Sequence, residues 1–249
     1  MSGNTNTLVA VVTGANKGVG FGVVRGLCKQ FKGDVYLTAR NEKLGLKAVE
    51  DLKKEGLSPK FHILDITKPE TITALKTFLQ TTYGGLDVLV NNAGMAYKVS
   101  SDAPFGEQAE VTVGTNFTGT LNVCEVLFPI LRPHARYLSL NVHIVFYWVW
   151  SFTEVAIHGC HIFTSNAKFF INMVELIQLF IGKRLSSVPV NCDRYYQVSP
   201  SKLLSLEVGF TTKTIDQGAD TPVYLAMLPR NTLSPKGDYV SDRKIGKWE

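Results

Sequence analysis

Five uninterrupted apolar residues, Leu8-Val9-Ala10-Val11-Val12, run straight into Thr13-Gly14-Ala15-Asn16-Lys17-Gly18-Val19-Gly20, and few folds accommodate that junction. An apolar run without alternation suits a strand covered on both faces, so helices must lie above and below it. The residues that follow supply the first: Val23, Leu27 and Phe31 recur at i, i+4 and i+8 beside Val24 and Cys28. The glycines therefore sit in a strand-to-helix turn. There the backbone can approach a phosphate closely, and the free N–H groups and dipole of the helix N-terminus favour an anion.

The alternation continues. Val35-Tyr36-Leu37 reads as a second strand and Ala48, Val49 and Leu52 as a second helix; Phe61 to Leu64 reads as a third strand ending at Asp65. Ile72, Leu75 and Leu79 mark a third helix, Leu86 to Val90 a fourth strand, and Phe117, Leu121, Cys124, Phe128 and Leu131 a long helix ended by Pro133. Strand and helix taking turns at this spacing predict an α/β fold, a doubly wound parallel sheet in three layers with right-handed crossovers. Beyond Arg136 the expectations thin out: a fifth strand at 143–150, a helix at 168–185, a sixth strand at 188–191 and nothing definite from 193 to 213. Thr214 and Gln217 then form a capping box ahead of a helix reaching about Leu228, and Asp238-Tyr239-Val240 reads as a final edge strand.

Composition narrows the function classes. With 249 residues and 45% apolar content the chain can bury one sizeable core, and 1–249 reads as a single domain. A net charge of +5 without a long basic run does not indicate nucleic acid, whereas a phosphate-bearing small ligand suits it. Cys28, Cys124, Cys160 and Cys192 are far apart, with no C-x-x-C pair, which suggests reduced thiols and a cytoplasmic protein. The N-terminus lacks the order of a signal peptide, and the apolar run Val142 to Trp150 is too short to cross a bilayer, so no membrane partner is expected. His158-Gly159-Cys160-His161 lacks a second ligand pair at suitable spacing, and no metal site is expected.

Several motifs in order carry a resemblance. Thr13-Gly14-x-x-x-Gly18-x-Gly20, Asp65 after the third strand and Asn91-Asn92-Ala93-Gly94 after the fourth resemble the short-chain dehydrogenase/reductases, which have a Rossmann fold. Leu37-Thr38-Ala39-Arg40, Gly84-Gly85-Leu86-Asp87-Val88 and Thr221-Pro222-Val223-Tyr224 are similar to the NADPH-dependent carbonyl reductases of animals within that family. The likeness covers about 8–136, the dinucleotide-binding half, and resumes at 214–249, leaving 137–213 as a divergent catalytic half. It implies hydride transfer to ketones, aldehydes or quinones, with a small-molecule carbonyl as substrate, in a monomer. It also implies a cofactor site made of Gly14, Asn16, Lys17, Gly18, Val19, Gly20, Asp65, Ile66, Asn91, Ala93 and Gly94, with Asp65 and Ile66 beside the adenine.

The choice of NADPH has its own physical argument. An NAD site usually ends its second strand in an acid that accepts from the ribose hydroxyl. Here Arg40 stands at that place and Lys17 in the glycine loop, one offering a planar fork and the other a point charge to a 2'-phosphate.

At the reaction centre the chain departs from the family, whose proton donor is a tyrosine four residues before a lysine on one helix. That spacing puts both on one face, so the cation favours tyrosinate. No Tyr-x-x-x-Lys occurs here. Asn116, in Thr115-Asn116-Phe117-Thr118-Gly119, matches the family's asparagine. Lys168 and Ser151 are the candidates for its lysine and serine, with Ser139 a rival serine; that register puts Thr164, too weak an acid, at the tyrosine position. Tyr195 and Tyr196 cannot pair with Lys202 on one helix turn, because the spacing is too long and Pro200 intervenes. The family's Pro-Gly turn after the sixth strand is replaced by Asn191-Cys192-Asp193-Arg194. Either an active reductase or an NADPH-binding protein with impaired catalysis fits this pattern.

Overall fold

A computed structural model describes residues 7–98, 100–140, 194–198, 214–229, 232, 234 and 239–245. The expected alternation is present from the first strand. β1 (Leu8–Val12), α1 (Gly18–Gln30), β2 (Gly33–Ala39), α2 (Glu42–Lys54), β3 (Lys60–Ile63), α3 (Pro69–Tyr83) and β4 (Leu86–Asn91) follow one another. Local chemistry sets their ends. Asn41 caps α2 by accepting from the Leu44 amide at 3.0 Å. Proline stands at the first position of α3, and Gly84, with φ 77°, closes it in the left-handed conformation.

Residues of β1 alternate between two cores. Ala10 and Val12 pack with α1, α2 and the C-terminal helix, whereas Val9 and Val11 pack with Ile72, Leu75, Leu79 and Leu127 on the other face. This is the two-sided burial that the unalternating run requires. The strands form one sheet in the order β3-β2-β1-β4-β5-β6-β7-β8, parallel up to β7, with β8 antiparallel.

Three expectations are corrected. The long helix through Leu131 is instead α4 (Phe105–Val113), a π-helical turn (Gly114–Gly119), α5 (Thr120–Leu127) and a 3-10 turn (Phe128–Ile130). Pro129, rather than Pro133, ends it, because a proline has no N–H for the helix ladder. Leu131 then opens β5 (Leu131–Ser139), and Pro133 lies within that strand. Pairing with β4 jumps from Leu86 opposite Leu131 to Val88 opposite Arg136, so Arg132 to Ala135 form a bulge in which His134 takes φ 66°.

Second, Arg194–Val198, where no element is expected, is β6, parallel to β5; Tyr, Tyr and Val are good strand formers. Third, the C-terminal strand β7 (Tyr239–Ser241) is not the edge. A two-residue turn at Asp242 and Arg243, both with positive φ, returns the chain as β8 (Lys244–Ile245). The last helix, α6 (Ile215–Ala226), carries the capping box anticipated at Thr214 and Gln217. The strands at 143–150 and 188–191 and the helix at 168–185 lie outside the described residues.

Candidate functional site

The strand order reverses between β1 and β4, which opens a crevice beyond their carboxyl ends. Two turns meet there and are fastened together. The Thr13 hydroxyl oxygen accepts from the amides of Asn92 at 3.0 Å and Ala93 at 2.9 Å. Asn92 Nδ2 returns two bonds, to the carbonyls of Thr13 at 2.9 Å and Gly14 at 3.0 Å. On the other side the Ala15 amide donates to the Thr38 carbonyl at 2.8 Å, and the Thr38 hydroxyl donates to the Val12 carbonyl at 3.0 Å. The glycine turn is thus held from β2 and β4 at once.

Within it, Gly14 and Gly18 both have φ 60°, a conformation that non-glycine residues avoid. They differ in what surrounds them. A Cβ on Gly14 would lie 2.7 Å from the Ala93 Cα, whereas one on Gly18 would meet nothing within 4 Å among the described residues. Gly18 begins α1, whose cap residue, Lys17, makes no side-chain capping bond, and no acid stands in the first turn. The first amides of α1 are left for an outside anion. Lys17 and Arg40 are exposed, Asn16 is half-buried and Gly94 is exposed. Among the described residues Arg40 has no ion pair or hydrogen bond. An exposed cation at the carboxyl end of β2, unpaired among the described residues, and an uncapped helix end on the same edge of the sheet fit a dinucleotide carrying a 2'-phosphate.

Other expected residues hold the crevice from behind. Val19 and Ile66 are buried in the two cores, and Ile66 packs against Gly119. Asp65 turns its Oδ1 to the Thr67 amide at 3.0 Å and the Thr67 hydroxyl at 2.7 Å, which shapes the turn after β3. Asn91 points its amide beneath the sheet, donating to Tyr137 Oη and Cys124 Sγ, both at 3.3 Å. Only its backbone can face the crevice. Burial pushes the Cys124 thiol up to about 12, so it stays a neutral member of this network.

Asn116 lies in the π-helical turn between α4 and α5, 3% exposed. Its Oδ1 accepts from the Met95 amide at 2.8 Å and its Nδ2 donates to the Met95 carbonyl at 2.7 Å. The asparagine thereby grips the loop after β4 by both backbone groups of one residue. Ser139, at the end of β5, is buried. Ser151, Thr164, Lys168 and the cluster His158-Gly159-Cys160-His161 lie outside the described residues. Tyr195 and Tyr196 belong to β6, so they form no helical pair with Lys202. Sequence reasoning missed Thr13 and Asn92 as fasteners; their signal was a short polar side chain at each strand end, where it can bond neighbouring backbone.

Residues 8–137 match the family model for short chain dehydrogenases. The chain belongs to the short-chain dehydrogenase family. This short-chain dehydrogenase is 40% identical to carbonyl reductase [NADPH] 1 of Rattus norvegicus over 271 residues, covering 96% of this chain and 98% of that one. It is 38% identical to carbonyl reductase [NADPH] 1 of Mus musculus over 279 residues, with the same coverage. Both alignments are longer than the 249 residues here, so those relatives carry stretches with no counterpart in this chain. Its fold is similar to salutaridine reductase from Papaver somniferum, with a TM-score of 0.65 and 23% identity over 93% of this chain and 99% of that one.

Proposed function

We propose that this chain is an NADPH-dependent, carbonyl reductase-like oxidoreductase that reduces small-molecule ketones, aldehydes or quinones. One observation carries the cofactor assignment: the open glycine turn at the uncapped start of α1 lies on the same edge of the sheet as Arg40, which no acid among the described residues neutralises. Backbone amides from Gly18 onward hold the pyrophosphate, and Arg40 and Lys17 take the 2'-phosphate. Bound there, NADPH supplies a hydride. The chain's part is to orient it against the loop of residues 92–98, which Asn116 fixes at Met95, and to deliver a proton to the carbonyl oxygen. Ser151 and Lys168 serve that centre in this reading, within a single monomeric domain of the cytoplasm.

NADPH fluorescence followed on mixing, then NADPH oxidation with a quinone such as menadione on the same sample, tests the two halves separately. Saturable fluorescence change with steady oxidation supports the reading; neither at high protein concentration contradicts it. A second reading, NADPH binding without turnover, is favoured by the missing Tyr-x-x-x-Lys. It predicts the fluorescence change alone.

A further inference from the structure

We propose that Tyr97 is the proton donor of this chain. The inference rests on the reductase reading above and deepens it. A carbonyl reduced by hydride becomes an alkoxide that must take a proton, and the family's helical tyrosine is absent from this sequence. The phenols of the described residues divide by position, Tyr147 lying outside them. Tyr36 and Tyr83 hydrogen-bond to each other at 2.8 Å and adjoin Asp34 and Lys60, toward the amino ends of β2 and β3. Tyr137 is 1% exposed and bonded to Asn91 and Cys124. Tyr224 lies on α6 against the Arg243 guanidinium, Tyr195 and Tyr196 precede the carboxyl end of β6, and Tyr239 opens β7.

Tyr97 alone among the described tyrosines lies in the loop beyond the carboxyl end of β4, on the edge of the sheet where the glycine turn lies. It is half-buried, and among the described residues its hydroxyl has no hydrogen-bond partner. Its loop is not left to wander. Two residues earlier, Met95 is held at both its amide and its carbonyl by buried Asn116, and one residue later the Lys98 carbonyl accepts from the Ser101 amide at 2.9 Å. A phenol on a pinned loop, partly open to water, can give its proton and recover it.

The step balances. The hydride and its electron pair form a C–H bond at the carbonyl carbon while the C=O π bond opens onto oxygen. The Tyr97 O–H bond breaks and its proton joins that oxygen. The alcohol and oxidised nicotinamide leave, and water returns a proton to the tyrosinate.

Tyr97→Phe tests this by two measurements. The first is the pH profile of menadione reduction: kcat falls roughly 100-fold, the scale of general acid catalysis, and the alkaline limb of the wild-type profile disappears. The second needs no turnover. NADP+, whose ring is cationic, shifts the ionisation of one tyrosine to lower pH by near-ultraviolet absorbance, NADPH does not, and Tyr97→Phe lacks the shift. NADPH fluorescence confirms that the variant keeps the cofactor site. Equal kcat in both proteins, or NADPH binding without turnover in the wild type, overturns the assignment of Tyr97 while leaving the cofactor reading intact. Absence of NADPH binding overturns both.

Discussion

Two glycines with the same backbone angle make different demands. Gly14 and Gly18 share φ 60°, and an alanine at either place costs about 1–2 kcal/mol for the left-handed conformation. At Gly14 the methyl also collides with the Ala93 backbone, so Gly14→Ala destabilises the chain by more than that and shifts its denaturant midpoint clearly. At Gly18 the methyl meets nothing within 4 Å among the described residues and instead crowds the helix start at which a pyrophosphate is expected. Gly18→Ala therefore weakens NADPH binding about tenfold or more while costing only about 1–2 kcal/mol of backbone strain, by fluorescence titration beside urea unfolding. Equal effects of the two variants on both measurements would contradict the difference in their surroundings. Asn116 makes a third residue-scale case. Asn116→Ala leaves the Met95 amide and carbonyl unbonded beside the buried turn, a loss of about 1–3 kcal/mol in the same unfolding experiment.

At the scale of elements, one polar clasp sets a pH dependence. It ties the amino end of β2 to β3 and the end of α3: Lys60 Nζ donates to Asp34 Oδ2 at 2.6 Å and Tyr83 Oη donates to the same oxygen at 2.5 Å. Burial favours the neutral acid, but the Lys60 and Tyr83 bonds outweigh it and hold the Asp34 carboxyl below its ordinary range. A depressed folded value means that this stability is present above the unfolded pKa of about 3.9 and is lost as pH falls through the folded one. Asp34→Asn removes it, so wild type and variant converge in stability at acid pH and separate near neutrality. The effect is modest, because both partners are partly solvated.

The same scale shows what could be read in advance. β1 to β4 and their helices were legible because each is a periodic run bounded by glycine, proline or a cap, as at Asn41 and Gly84. β5 was not, because Leu131 continues a helical spacing and the strand is interrupted by a bulge at Pro133 and His134. β6 is five residues among weak signals and takes its form from β5 and β7 on either side. In the candidate site, the place of Gly14, Gly18 and Arg40 at strand ends and the first helix start was legible from the sequence. The inward turn of Asn91 was not, since its partners Cys124 and Tyr137 are far along the chain.

For the whole molecule, the crevice links the glycine turn, the end of β2 and the loop after β4, so a ligand seated there stabilises the fold as a unit. At a free NADPH concentration a hundredfold above its Kd the gain is about 2.7 kcal/mol, seen as a higher Tm. NADH, lacking the 2'-phosphate, gives less at equal concentration, and Arg40→Asp erases the difference between them. The most direct test of the account is a fluorescence titration of the folded chain with NADPH and with NADH, repeated on Arg40→Asp. Saturable binding is expected, with NADPH the tighter ligand, and a variant that no longer prefers it. A cooperatively folded chain that binds neither nucleotide, or that keeps its preference after the charge is reversed, would contradict it.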